Sequence, residues 1–362
     1  MNILVMTSTI GSFNSVRPEA EIYISLASRG HNITIITQSD TPYANRFKEC
    51  GIRVVDGSYK KKISPALIKT ARSIIKDSSI EILFAANSKA ISNAIVASMF
   101  SGVKLITYRG TTGGLYRYDP SAYLNALNPR VDGVVAVSKA VQKRVQQQII
   151  SQKTRVANIY KGHKIEWYQS EALNLEEFGI KKGNFSIAFV ANMRPHKGLA
   201  VVLEACKSLA KHEDLHLIVV GDGALSYKDL VEQSGMRERI HLAGFRSDAP
   251  SIVASCDLLL QASTRKEGLS RVILEALASG VVVVASDIDG NKEIITHEVN
   301  GLVVEKGDAK ALADAISRLY NDRGLLGDLK KNAGDVFINK MSHKASVDGF
   351  EAFFASFLEG KS

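Results

Sequence analysis

Thirteen short apolar runs, separated by segments of helical period, constrain the fold of this chain more than any other feature of it. In the first half they occupy residues 3–6, 33–37, 52–55, 80–84, 105–108, 134–137 and 156–160. In the second half they occupy residues 187–190, 215–220, 240–242, 258–260, 281–285 and 302–304. Most are aliphatic at successive rather than alternate positions, as expected of parallel strands covered on both faces. Most gaps between them carry apolar residues every three or four positions, and residues 18–29 and 199–211 are clear cases. Repeated strand–helix alternation predicts an α/β chain with a doubly wound sheet in each half. A length of 362 residues suits two domains, and the polar stretch 161–184 is the expected boundary. The chain closes on a helix-period run, Val347, Phe350, Phe354, Phe357 and Leu358, which needs a core to cover it.

Composition excludes several classes. No run of about 18 apolar residues predicts a spanning helix, and the opening MNILVMTST reads as a strand rather than a leader. Three scattered cysteines, Cys50, Cys206 and Cys256, form neither a zinc pattern nor an obvious disulfide set, which suits a reducing cytoplasm. Charge is divided unevenly. Residues 1–164 hold 23 Lys and Arg against 9 Asp and Glu, a balance of +14, while the remainder carries −5. Few aromatics accompany the basic residues, so no stacking platform for nucleic acid is evident and none is expected as a partner.

The chemistry concentrates after the run 258–260, in STRKEGLSRVILEALASG. Ligands of doubly wound sheets bind beyond the carboxyl ends of strands, where this loop is expected. A helix beginning near Ser270 places Arg271, Glu275 and Ser279 on one face, and an exposed Arg271–Glu275 pair is worth only about 0.3 kcal/mol. Alternatively, Ser270 caps the helix and Gly268 lets backbone approach a ligand. The free N–H groups of Gly268, Leu269, Ser270, Arg271 and Val272 then suit a diphosphate. Glu267 is placed to bind hydroxyls on one side of that phosphate and Glu275 on the other. In FVANMRPHKGLAVVLEA, Arg194 and Lys197 lie between a strand and a helix, placed to neutralise phosphate; His196 is a neighbour rather than a base.

NMRPHKG, VVGDG, EGLSRVILEALASG and DIDGNKEIITHEVNGLVV follow one another at spacings that resemble the nucleotide-sugar domain of retaining glycosyltransferases of family 4, with the GT-B fold. The resemblance covers essentially the whole chain and is strongest from Phe185 to Leu319; Glu267 and Glu275 match the family's E-x7-E motif. It implies two Rossmann-like domains facing across a cleft. Residues 1–164 with a returning helix at 345–362 would bind the acceptor, and residues 165–344 the sugar nucleotide. By the same resemblance, Glu267 contacts the transferred sugar and Glu275 the ribose. Gly268, Leu269, Ser270, Arg271 and Val272 hold sugar and diphosphate, Arg194 and Lys197 stabilise the leaving group, and Gly244 with Phe245 receives the base. A UDP-sugar is the favoured donor. No metal is expected, because Arg, Lys and a helix end neutralise the charge. The pair Asp287 and Asp289 departs from the Gly-Gly of many members and stands in the wrong place for a metal site.

In the first domain, Arg109 stands where many members carry His; arginine cannot serve as a base, so anion binding or donor orientation is expected. Gly11, in the first strand–helix loop, leaves room for acceptor or diphosphate. The segment 60–77 combines a stripe of Leu67, Ile68, Ala71, Ile74 and Ile75 with Lys60, Lys61, Lys62, Lys69, Arg72 and Lys76. Packing of that stripe on the sheet is one reading, and docking on anionic lipid the other. The expectation is a retaining hexosyltransferase of cell-surface polysaccharide or lipopolysaccharide assembly, cytoplasmic or peripheral at the inner membrane face, using a glycan or lipid-linked acceptor. The alternatives are a GT-B sugar-nucleotide epimerase and a non-catalytic sugar-nucleotide-binding subunit.

Overall fold

The computed structural model describes residues 1–11, 13–168, 172–265, 269–336 and 341–359. Each of the thirteen apolar runs overlaps a strand. In the first unit these are β1 (Asn2–Met6), β2 (Asn32–Thr37), β3 (Arg53–Asp56), β4 (Ile82–Ala85), β5 (Lys104–Arg109), β6 (Gly133–Ala136) and β7 (Arg155–Asn158). In the second they are β8 (Phe185–Val190), β9 (Leu215–Val220), β10 (Ile240–Gly244), β11 (Leu258–Gln261), β12 (Val282–Ser286) and β13 (Leu302–Val304). The sheets run β3-β2-β1-β4-β5-β6-β7 and β10-β9-β8-β11-β12-β13. Pairing of the named strands is parallel throughout. Strand order reverses between β1 and β4 and again between β8 and β11, and each reversal opens a crevice at the carboxyl edge of its sheet.

Burial explains the aliphatic runs. Every residue of β4, β6, β9, β11 and β12 is buried, because helices cover both faces. The chain divides into residues 1–163 with 340–362, and residues 164–339. The helix His343–Ala355 therefore belongs to the first unit. Its Val347, Phe350 and Phe354 enter that unit's core, with Phe84 5.6 Å from Phe350 in an edge-on pair. Gly133 is what Phe357 lies on: a Cβ there would stand 2.7 Å from the ring.

One helix differs from expectation, and another decides between two readings. The first runs Phe13–Ser28 and encloses Pro18 rather than starting at it. The residues before the proline are held by a tertiary contact, Phe13 stacked on Tyr43 at 4.5 Å. In the basic helix Pro65–Asp77, Leu67, Ile68, Ala71 and Ile74 are buried, so the stripe is committed to packing and the charges stay outside. No helix among the described residues is long and apolar enough to cross a membrane.

Candidate active site

A cavity of about 630 Å³ opens at the carboxyl edge of the second sheet. Its wall includes Asn192 after β8, Asp222 after β9, Phe245 and Arg246 after β10, and Arg271 and Val272 on the helix Arg271–Ala278. Two glycines shape it. At Gly221 (φ +144°) a Cβ would fall 1.7 Å from the Ala191 carbonyl oxygen, so only glycine lets the ends of β8 and β9 close together. The Gly221 N–H donates to the Gly244 carbonyl at 2.7 Å. At Gly244 the chain turns through φ +66° and leaves Phe245 78% exposed on the rim. Arg246 turns back to Asp248 (2.7 Å) and Glu177 (3.0 Å).

Ser270 occupies the N-cap position but does not cap the helix. Its hydroxyl accepts instead from Gln261 Nε2 at 2.7 Å. Among the described residues the first N–H groups of the helix therefore receive no cap from Ser270, which leaves a partial positive charge beside the cavity. Arg271 Nε donates to Glu275 Oε1 at 3.0 Å. Arg271 lines the cavity, half exposed, while Glu275 lies one turn deeper and is nearly buried. Burial raises the Glu275 carboxyl from its ordinary range, against the opposing pull of Arg271. Leu269 is partly buried just before the helix. Glu267 and Gly268 lie outside the described residues.

The loop after β8 is strapped to the loop after β11. Arg194, exposed, precedes the short turn Pro195–Lys197, and Lys197, partly buried, closes it. Gly198 follows at φ +83°, and a Cβ there would stand 2.0 Å from the Ala262 carbonyl oxygen. The Thr264 N–H donates to the His196 carbonyl at 2.8 Å. A buried polar set beneath that strap was not anticipated from the sequence. Ser263 Oγ donates to Gln261 Oε1 at 3.2 Å, Ser286 Oγ donates to the Ser263 carbonyl, and Asn291 Nδ2 donates to the Ser286 carbonyl at 3.0 Å. The one available signal was a glutamine closing the otherwise aliphatic run Leu258–Gln261.

Other candidates lie elsewhere or serve other ends. Arg109, in the first unit, donates from Nε to the Thr111 carbonyl at 3.0 Å and also to the Gly113 carbonyl, so its guanidinium binds its own loop. Gly11 has φ +152°, with Ser15 Oγ 2.8 Å from where a Cβ would be. Asp287 accepts the Lys306 N–H at 3.1 Å, and Asp289 is exposed at a helix start. Among the described residues no three His, Cys, Asp or Glu gather as a metal site.

Two family descriptions match complementary parts of the chain: Glycosyltransferase Family 4 over residues 20–167 and Glycosyl transferases group 1 over residues 170–336. The chain is a glycosyltransferase, built of a Glycosyltransferase Family 4 domain followed by a Glycosyl transferases group 1 domain. The N-acetyl-alpha-D-glucosaminyl L-malate synthase of Bacillus anthracis is 25% identical over 93% of this chain and 92% of its own length. The UDP-Gal:alpha-D-GlcNAc-diphosphoundecaprenol alpha-1,3-galactosyltransferase of Escherichia coli is 26% identical over 51% of this chain, which spans about half of that relative (48%). Among solved structures, Anabaena HepE in complex with UDP superposes with a TM-score of 0.79 at 22% identity, covering 98% of this chain and 100% of the other. A glycosyltransferase of Rickettsia africae gives 0.83 at 22% identity, covering 99% of each. The two parallel sheets of this glycosyltransferase are thus those of the GT-B fold.

Proposed function

We propose that this glycosyltransferase moves a hexose from a nucleoside-diphosphate sugar, a UDP-sugar in preference, to a glycan or lipid-linked acceptor in cell-surface polysaccharide or lipopolysaccharide assembly, with retention at the anomeric carbon. The observation that carries the reading is the cavity at the carboxyl edge of the second sheet. Its wall carries an exposed aromatic, Phe245, and a helix start that Ser270 does not cap. Phe245 offers a face to the base. The N–H groups beginning at Arg271, with Arg194 and Lys197, take up charge on the departing diphosphate. Glu275 serves the ribose through its place beside Arg271, and Glu267 the transferred sugar. Retention follows from departure and attack on the same face, with the leaving phosphate oxygen accepting the acceptor's proton, so the reading requires no enzymic base. It requires no metal either, and transfer should survive a chelator. The cytoplasm is the proposed compartment. The relatives' printed names, a galactosyltransferase acting on a diphosphoundecaprenol-linked sugar and lipopolysaccharide core enzymes, support the setting.

The test is thermal unfolding of the full chain with UDP, GDP and ADP. A ligand at a hundred times its Kd stabilises by about 2.7 kcal/mol. UDP is expected to shift the second unit's transition most. A chain that no nucleoside diphosphate stabilises would sink the reading.

A further inference from the structure

We propose that Gln261 is a positioning residue of the second unit. It holds the Ser270 hydroxyl off the start of the helix Arg271–Ala278, so that the first N–H groups of that helix stay open to a nucleoside diphosphate. The proposal rests on the reading of the adjoining cavity as the nucleotide site. Gln261 closes β11, one of the two strands flanking the reversal in the second sheet, and so stands at the edge where such sheets take ligands. Ser270 has the backbone of a capping residue, extended at φ −83° and ψ 110°, and serine is among the residues that cap best. Among the described helices, Ser64, Ser138 and Ser342 stand in the same position and do cap. Ser64 accepts the Leu67 N–H at 3.5 Å, Ser138 the Val141 N–H at 3.2 Å and Ser342 the Ala345 N–H at 3.1 Å. Ser270 differs by its neighbour: Gln261 Nε2 donates to its Oγ at 2.7 Å.

Gln261 is itself held. Ser263 Oγ donates to Gln261 Oε1 at 3.2 Å, which turns the amide nitrogen toward Ser270. Behind it, the Ser286 hydroxyl donates to the Ser263 carbonyl, and Asn291 Nδ2 donates to the Ser286 carbonyl at 3.0 Å. Gln261, Ser263, Ser270, Ser286 and Asn291 are all buried. Asn291 Oδ1 has no hydrogen-bond partner among the described residues, and apolar side chains of the same shape would fill this space without that unpaired oxygen. Folding alone therefore gives no reason for a glutamine at the end of β11, whereas control of Ser270 gives one. A serine cap and a bound phosphate compete for the same N–H groups, those two or three residues beyond the cap position. Arg271 and Val272, the first residues of the helix, line the cavity, so the groups that Gln261 keeps open lie beside it.

The test compares the full wild-type chain with Gln261→Met, Ser270→Ala and the double variant. Methionine fills a similar volume and cannot donate, so Ser270 should turn and cap the helix. Hydrogen exchange without nucleotide reads this directly. The Val272 and Ile273 amides should exchange about fivefold more slowly in Gln261→Met than in the wild type, the equivalent of about 1 kcal/mol for a serine cap, and Ser270→Ala should abolish the difference. Titration with UDP reads the consequence. Gln261→Met should bind UDP about fivefold more weakly than the wild type. In the Ser270→Ala background the same change should alter affinity less than about twofold, because Gln261 acts only through that hydroxyl. Gln261→Asn, whose amide is one carbon shorter and does not reach Ser270, should reproduce both effects, so the test stands even if Gln261→Met does not fold. An equal loss of UDP affinity in both backgrounds would make Gln261 a packing residue and overturn the proposal. So would wild-type affinity, or unchanged exchange, in the Gln261 variants. A wild-type chain that UDP does not bind would instead remove the reading of the cavity, and exchange would still decide what Gln261 does to Ser270.

Discussion

Replacing Gly198 by alanine should disable the candidate phosphate loop. At φ +83° an alanine carries a left-handed strain of about 1–2 kcal/mol. Its Cβ would also stand 2.0 Å from the Ala262 carbonyl oxygen, a distance real Cβ contacts do not reach below 3.0 Å, so the two loops must separate by about 1 Å. That movement breaks the 2.8 Å hydrogen bond from the Thr264 N–H to the His196 carbonyl, worth about 1 kcal/mol net. Gly307 is the control: φ +79°, with nothing within 4 Å of its virtual Cβ, so alanine there meets only the backbone strain. At about 2–4 °C per kcal/mol for a domain of this size, Gly307→Ala should lower the second unit's Tm by about 2–8 °C and Gly198→Ala by about 4–12 °C, the latter the larger by the lost hydrogen bond. A 1 Å displacement of Arg194 and Lys197 should cost about a hundredfold in kcat/KM, which Gly307→Ala should preserve. Calorimetry and a transfer assay on both variants read the two effects. Equal losses of Tm, with transfer by Gly198→Ala near the wild-type rate, would refute the reasoning.

Arg194→Ala and Lys197→Ala should each slow transfer at least about tenfold, or about 1.4 kcal/mol of lost charge stabilisation; wild-type rates in both would remove these residues from the site. Glu275→Ala should weaken binding of the bare nucleoside diphosphate, while Glu267→Ala should spare that binding and damage transfer; isothermal titration beside a rate assay would expose equal effects, contrary to this division. His216 Nδ1 and His241 Nε2 stand 3.2 Å apart, and burial with the neighbouring His216 pushes His241 down to about 4. A histidine lowered in the fold supplies stability that is complete above its unfolded value of about 6.5 and lost as pH falls toward about 4. The second unit's Tm should therefore fall across that window, and less steeply in His241→Gln; identical pH profiles would contradict the assignment.

Particular residues show what was legible. The runs that became β9 and β12 could be read because strands buried on both faces must be aliphatic throughout, and that demand is written locally. The paired placement of Arg271 and Glu275 followed from helical spacing alone, and the 3.0 Å contact forms. Other readings depended on which neighbouring group claims a side chain once the loops are folded. Ser270 looks like a cap in its local context, yet Gln261 takes its hydroxyl and leaves the helix start open. Arg109 donates to carbonyls of its own loop, an arrangement that residue type alone does not specify. The amphipathic pattern of the helix Pro65–Asp77 is equally compatible with a membrane or a sheet, and only the neighbouring elements decide for the sheet.

The sequence by itself determined the number and kind of elements, the family motifs and the uneven charge, because each depends on residue type and spacing within a few turns of chain. Tertiary structure alone decided which loops meet. Gly198 against Ala262, Gly221 against Ala191, and the loop 60–63 beside residues 116–124 join segments that local pattern leaves independent. Such contacts depend on strand order and on where backbone must approach backbone. A steric demand between distant segments leaves at most an unexplained glycine or glutamine in the sequence.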